Sequence, residues 1–281
     1  MTSFKQFLLE DFDEFPPTVL KLLKTKCSQF LSKTTTPMVR GITGGNKITN
    51  ANKFFMVSDI RTDRAPRDSA GDHTFNFYYN LGIESAFGEA NIRRKSLFCS
   101  GDISVSEFYG SSFFVFPVNG FNYISSTAVK DSFKDLQELS TDVLIELRKH
   151  KSDAVVDIYN FFNGPKAAEV FRHRGQITLK EFEALTSKDA RKVLSDSLES
   201  IFTKKYKYQD SKNLDACLKH GSEILIYDTR HVFMVNITKL REALIANPSL
   251  VPEKYREKFE RGSPMMNNVY AAFLAMIEES K

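Results

Sequence analysis

The sequence predicts an α+β fold with strand segments on both sides of a helical insertion near residues 130–205. Three observations carry this. Short apolar runs such as Met38–Ile42, Phe113–Val118 and Ser222–Tyr227 read as strands. Apolar residues recur at helical spacing over 131–149 (Phe133, Leu136, Leu139, Val143, Leu144, Leu147), the clearest helix in the chain. Strand segments before and after that insertion argue for a mixed arrangement.

The remaining elements follow in order. Residues 1–14 hold a short amphipathic piece before Pro16-Pro17, an arm or a first helix turn, and Thr18 to about Lys33 has helical spacing. Thr34-Thr35-Thr36-Pro37 stops that helix, because the residue before a proline resists the helical region. Met38–Ile42 is a strand opening into a Gly44-Gly45-Asn46 turn. A strand over Lys53–Ile60, a charged loop to Asp72, and a helix over 73–87 come next. Ser96–Ser100 is a buried strand and Val105–Tyr109 a short helix. Phe113–Val118 and Phe121–Ser125 flank Asn119-Gly120, a hairpin signal. Helices are expected at 179–185, 188–203, 212–219, 237–245 and 265–279, with paired strands Ser222–Tyr227 and Val232–Asn236 across Asp228-Thr229-Arg230. The division expected is an arm and helix over 1–36 and one domain over 37–281.

Composition is that of a globular chain: 42% hydrophobic and 26% charged residues. The chain holds 25 Phe and 10 Tyr but no Trp, which fits core packing, with a stacking surface for bases or nicotinamide as the alternative. A net charge of +4 tolerates a phosphate-bearing partner without demanding one. The densest basic cluster, Arg93-Arg94-Lys95, is too short for a nucleic-acid tail. Cys27, Cys99 and Cys217 lie far apart and cannot all pair, so a reducing compartment is expected. No apolar stretch approaches the roughly 18 residues of a membrane span, so no membrane partner is expected. The five histidines are scattered without metal-ligand spacing, and no metal is expected.

Gly41–Lys47 (GITGGNK) lacks the Gly-Lys-Ser/Thr ending of a phosphate loop. Neither G-x-G-x-x-G, G-x-S-x-G nor H-E-x-x-H occurs. Three segments remain. Arg40 sits inside the apolar run Met38–Ile42, where a guanidinium needs a carboxylate or a phosphate; a strand-end salt bridge satisfies the same need. Leu97-Phe98-Cys99-Ser100-Gly101-Asp102 ends a strand and starts a helix capped by Asp102 or Ser104. Glu223 opens the strongly apolar Ile224-Leu225-Ile226-Tyr227, either as a partner for Arg40 or as a carboxylate facing a sugar.

Taken in order, an Arg-Gly strand, a Phe-x-Ser strand leading to a small helix and Tyr-Gly, and a late Glu-Ile-Leu-Ile strand resemble the ADP-ribosyltransferase superfamily. The likeness is to its arginine–serine–glutamate branch and spans residues 38–236. It implies split mixed or antiparallel sheets with flanking helices, and NAD as co-substrate. It further implies that Arg40, with Gly41, holds an NAD phosphate, that Ser100 orients the ribose or the glutamate, and that Glu223 stabilises the charge developing at the ribose. Gly221 stands where arginine-modifying members carry Glu or Gln, and Ser100-Gly101-Asp102 stands where the family usually has Ser-Thr-Ser. The opening MTSFKQFLLED resembles those of tailed-phage proteins, with Leu8-Leu9-Glu10 a candidate head-protease site. That implies a phage-encoded enzyme in the host cytoplasm, or packaged in a virion, with a host protein or nucleic acid as acceptor. A non-catalytic virion protein keeping the fold and a nucleic-acid-binding module are the alternatives.

The loop Asp59–Asp68 alternates acids and bases, as a solvated loop does; Arg61, Arg64 or Arg67 there is the alternative reach to a pyrophosphate or nucleic acid. His73, Tyr78 and Tyr79 are candidates to border the same pocket, and Tyr109 to stack on nicotinamide.

Overall fold

The computed structural model describes residues 17–42, 53–60, 73–173, 175–261 and 264–280. Among them are fifteen α-helices and eight strands, an α+β architecture. The strands are β1 (Val39–Ile42), β2 (Phe55–Asp59), β3 (Leu97–Ser100), β4 (Ser111–Pro117), β5 (Asn122–Ser126), β6 (Tyr208–Asp210), β7 (Glu223–Tyr227) and β8 (His231–Asn236). No described helix is long and apolar enough to cross a membrane. The chain divides into two compact units: residues 1–60, 98–123 and 213–281 form one, and 61–97 with 124–212 the other.

The first unit carries strands in the order β2-β8-β4-β1-β3-β7. β8 pairs antiparallel with β2 (Phe55 opposite Val235) and with β4 (Phe116 opposite Phe233). β4 in turn pairs with β1, Arg40 opposite Phe113. The run Phe113-Phe114-Val115-Phe116 is at most 1% exposed, so both faces of β4 are covered and its sequence is continuously apolar instead of alternating. Helix Met266–Glu279 packs Tyr270 on Phe114 (ring centroids 4.8 Å apart) and Phe273 on Phe116 (5.9 Å). Phe30 meets Phe116 edge-on at 5.8 Å. Such rings bury large area and add edge contacts worth about 0.5–1.5 kcal/mol per pair.

The second unit is mainly helical. Helix His73–Phe87 lays Phe77 against Phe161 and Phe182, and Tyr79 against Phe202 and Tyr208. Gly82, in the middle of that helix, has a specific cause: a Cβ there would lie 2.1 Å from the Phe202 ring. Its ~1 kcal/mol cost to helix formation is offset by the close ring. β5 and β6 pair here through Ile124 opposite Asp210. Most of the aromatic excess is therefore core packing; Phe108 and Phe133 are the exposed large rings among the described residues.

Four sequence expectations need correction. β4 and β5 are not a hairpin, since β4 pairs with β1 and β8. The Asn119-Gly120 connection is tied to the N-terminal helices instead. Asn119 N–H donates to the Lys26 carbonyl (2.7 Å), the Gln29 N–H donates to Asn119 Oδ1 (2.9 Å), and Gly120 N–H donates to Gln29 Oε1 (2.7 Å). β7 and β8 are likewise joined by a short turn, but β8 lies between β2 and β4 while β7 follows β3. The helix expected over 131–149 is two, Ser132–Asp135 and Leu139–Leu147, with Asp131 capping the first through Phe133 N–H. Leu136, Leu139, Val143 and Leu147 are fully buried, while Phe133 and Leu144 are exposed at 47% and 37%. The helix expected over Thr18–Lys33 also breaks at Cys27, into Pro17–Lys26 and Ser28–Leu31.

Candidate functional site

Arg40, Ser100 and Glu223 lie on three successive strands of the first unit, β1, β3 and β7. Val39 stands opposite Ser100. Gly101 N–H donates to the Ser222 carbonyl at 3.1 Å, which joins the end of β3 to the start of β7. Ser100 and Glu223 each adjoin that bond by one residue. Both are buried, at 5% and 7% exposure. Glu223 opens a strand whose five residues are all buried, a costly setting for a carboxylate.

Ser100 is held at both lone pair and proton. Its Oγ accepts the Asp102 N–H at 3.0 Å and donates to the Gly221 carbonyl at 3.1 Å. Asp102 caps helix Ile103–Phe108 through the Ser104 N–H (2.9 Å), as a strand ending in small polar residues before a helix requires. On the other side, helix Leu214–His220 closes on Gly221 at φ 80°. Gly221 N–H reaches the Leu218 carbonyl (2.9 Å) and Ser222 N–H the Cys217 carbonyl (3.0 Å), a paired C-terminal closure that leads straight into Glu223. His220 Nδ1 meets Ser222 Oγ at 3.1 Å.

Gly101 and Gly221 each have a local cause. A Cβ on Gly101 would lie 2.0 Å from the Leu218 carbonyl oxygen, so only glycine fits where the helix abuts β3. Gly221 combines its left-handed backbone with a Cβ position 3.2 Å from Asp102 Cβ.

Arg40 is half-buried, and its Nη1 donates to the Phe98 carbonyl of β3. Alternation along β1 turns it to the face opposite Val39, beside Cys99. Burial pushes the Cys99 thiol up to about 12, and the Arg40 charge acts against that rise. Gly41 lies directly under helix Ile103–Phe108: a Cβ there would be 1.9 Å from the Ser106 carbonyl oxygen and 2.8 Å from Tyr109 Cβ. Gly41 and Tyr109 are thus brought together. The half-buried Tyr109 ring meets Phe108 at right angles, centroids 5.2 Å apart, and Phe108 is 70% exposed.

Arg61, Arg64 and Arg67 lie outside the described residues. His73 opens a helix of the second unit, and Tyr78 and Tyr79 are buried in that unit's aromatic core. Sequence reasoning missed the interactions of Asp215, which accepts from Thr34 and Thr36 across about 180 residues; a charged residue on a short helix carries no sign of so distant a partner. Cys27, Cys99 and Cys217 are buried and form no disulfide. No protein family, no curated protein and no solved structure matches this chain.

Proposed function

We propose that this protein is an NAD-dependent ADP-ribosyltransferase of the ADP-ribosyltransferase fold, phage-encoded and acting in the host cytoplasm on a host macromolecule. The observation that carries the reading is that Arg40, Ser100 and Glu223 lie on neighbouring strands, with the Gly101–Ser222 backbone bond beside both Ser100 and Glu223. In this reading Arg40 binds an NAD phosphate, Gly41 lets the backbone come close to it, and Tyr109 flanks the nicotinamide. Glu223 accepts the ribose 2′-hydroxyl and stabilises the positive charge that grows as the glycosidic bond breaks. The bonding pair leaves with nicotinamide, which becomes neutral. The acceptor nucleophile bonds to the ribose carbon and gives up its proton. Ser100, with its proton committed to Gly221, supports the turn that presents Glu223.

The test is release of nicotinamide and labelling of a host lysate by the purified protein with NAD. Glu223→Gln should lose on the order of 10²-fold or more in rate. A parent protein that leaves NAD intact in the presence of lysate sinks the reading. A second reading, a non-catalytic virion-associated protein keeping the fold, is favoured by Asp102 and Gly221, which stand where the resembled family usually has its second serine and where its arginine-modifying members carry Glu or Gln. It expects Glu223→Gln to match the parent in every assay.

A further inference from the structure

Thr34 and Thr36 lie on the stretch that runs into β1, six and four residues before Arg40. Both hydroxyls donate to Asp215 Oδ1, at 2.7 and 2.8 Å. Thr36 N–H donates in turn to Thr34 Oγ1 at 2.8 Å, and Thr34 is 5% exposed. The other carboxylate oxygen, Oδ2, takes Lys219 Nζ at 2.6 Å. Asp215 sits in the first turn of helix Leu214–His220, the helix that closes on Gly221 and delivers Glu223. In the sheet, β1 and β7 are separated by β3, so their relative placement is not set by pairing with each other.

We infer that Asp215 is a positioning residue, whose carboxylate fixes the approach to the Arg40 strand against the helix that delivers Glu223. An exposed ion pair between positions i and i+4, such as Asp215–Lys219, contributes little by itself. The threonine bonds differ in kind: they are charge-assisted, converge on one oxygen, and join segments far apart in sequence. Losing them frees the stretch before β1 at one end and the helix at the other, so Arg40 and Glu223 no longer share one fixed frame. The consequence for turnover rests on the reading proposed above; the structural part does not.

The experiment compares the parent, Asp215→Ala, Asp215→Asn and the shape-preserving pair Thr34→Val with Thr36→Val, each as the full chain. Amide hydrogen exchange is followed at Thr36 and Met38–Gly41 and at Gly221–Glu223, alongside KM and kcat for nicotinamide release. The alanine and the double valine should speed exchange in both segments about tenfold, leaving helix Met266–Glu279 unchanged. They should raise KM for NAD about fivefold or more while kcat falls less. Asp215→Asn, whose Oδ1 still accepts both hydroxyls, should return exchange and KM to within about twofold of the parent. Unchanged exchange in the alanine and double-valine proteins overturns the inference, as does an asparagine variant as impaired as alanine, or an unaltered KM in an active protein. A parent that releases no nicotinamide defeats the functional reading alone, and the exchange pattern still decides the role of Asp215.

Discussion

Ser100 Oγ donates to the carbonyl of Gly221 at 3.1 Å, a bond across 121 residues that couples the end of β3 to the turn before Glu223. Ser100→Ala leaves the buried Gly221 carbonyl and the Asp102 N–H without that partner. The expected loss is about 1–3 kcal/mol of stability, read as a lower urea midpoint with unchanged slope. Ser100→Thr keeps the hydroxyl and should recover part of that loss. A Ser100→Ala midpoint equal to the parent's would contradict the clamp.

The glycines around the site differ from those elsewhere by what surrounds them. Gly41 and Gly101 face backbone oxygens at 1.9 and 2.0 Å from an ideal Cβ, whereas Gly120 faces open space at φ 94°. Gly41→Ala and Gly101→Ala should each cost about 3 kcal/mol or more, since backbone must shift in a packed interior. Gly120→Ala should cost only the roughly 1 kcal/mol of left-handed strain. Thermal unfolding of the three variants checks the ordering.

Asp215 also carries an acid-side prediction. The bond from Lys219, then those from Thr34 and Thr36, hold its carboxyl at about 2, below the ordinary 3.8. A lowered pKa means the unfolded chain binds the proton first as pH falls. The stabilisation is therefore complete above about pH 4 and lost between there and pH 2. Urea midpoints from pH 5 to 2.5 should fall more steeply for the parent than for Asp215→Asn.

Cys99 should resist thiol reagents in the folded protein. Its thiol is raised from 9.0 to about 12 by burial, so almost no thiolate exists at pH 8. A raised thiol pKa stabilises the fold below about pH 9 and loses that contribution as pH climbs toward 12. Alkylation at pH 8 should be slow in buffer and fast in denaturant; rapid labelling in buffer would refute the burial.

In the second unit, Phe77 touches Phe161, Phe162 and Phe182 and is fully buried. Phe77→Ala should cost about 3–5 kcal/mol. Phe108→Ala, at a ring 70% exposed, should change stability by less than about 0.5 kcal/mol. Equal losses in the two variants, measured by chemical denaturation, would contradict this assignment of core and surface.

Much of the fold was readable from local pattern. β1, β2, β3, β4, β7 and β8 fall where apolar runs sit between turn residues, and the cap at Asp102 follows from a small polar residue before a helix. Helices Asp153–Asn163, Pro165–Arg172 and Glu253–Glu260 went unread. The last is charged nearly throughout, with Phe259 its buried residue, so it offers almost no stripe to detect.

Strand partners were not legible. Asn119-Gly120 and Asp228-Thr229-Arg230 both look like hairpin turns, because turn chemistry specifies a change of direction and not the neighbour beyond it. Gly120 N–H satisfies itself on Gln29, and β8 pairs with β2, segments that no local window contains.

The amino-acid order alone determined the α+β class, the short strand that holds Arg40 and the apolar one beginning at Glu223, and the helix start after Ser100, since each depends on neighbours a few residues away. Only tertiary structure decided that β1, β3 and β7 are adjacent, that Ser100 donates to Gly221, and that Asp215 joins Thr34 and Thr36. Those contacts follow from burying both faces of one sheet, a global packing requirement to which distant segments contribute together.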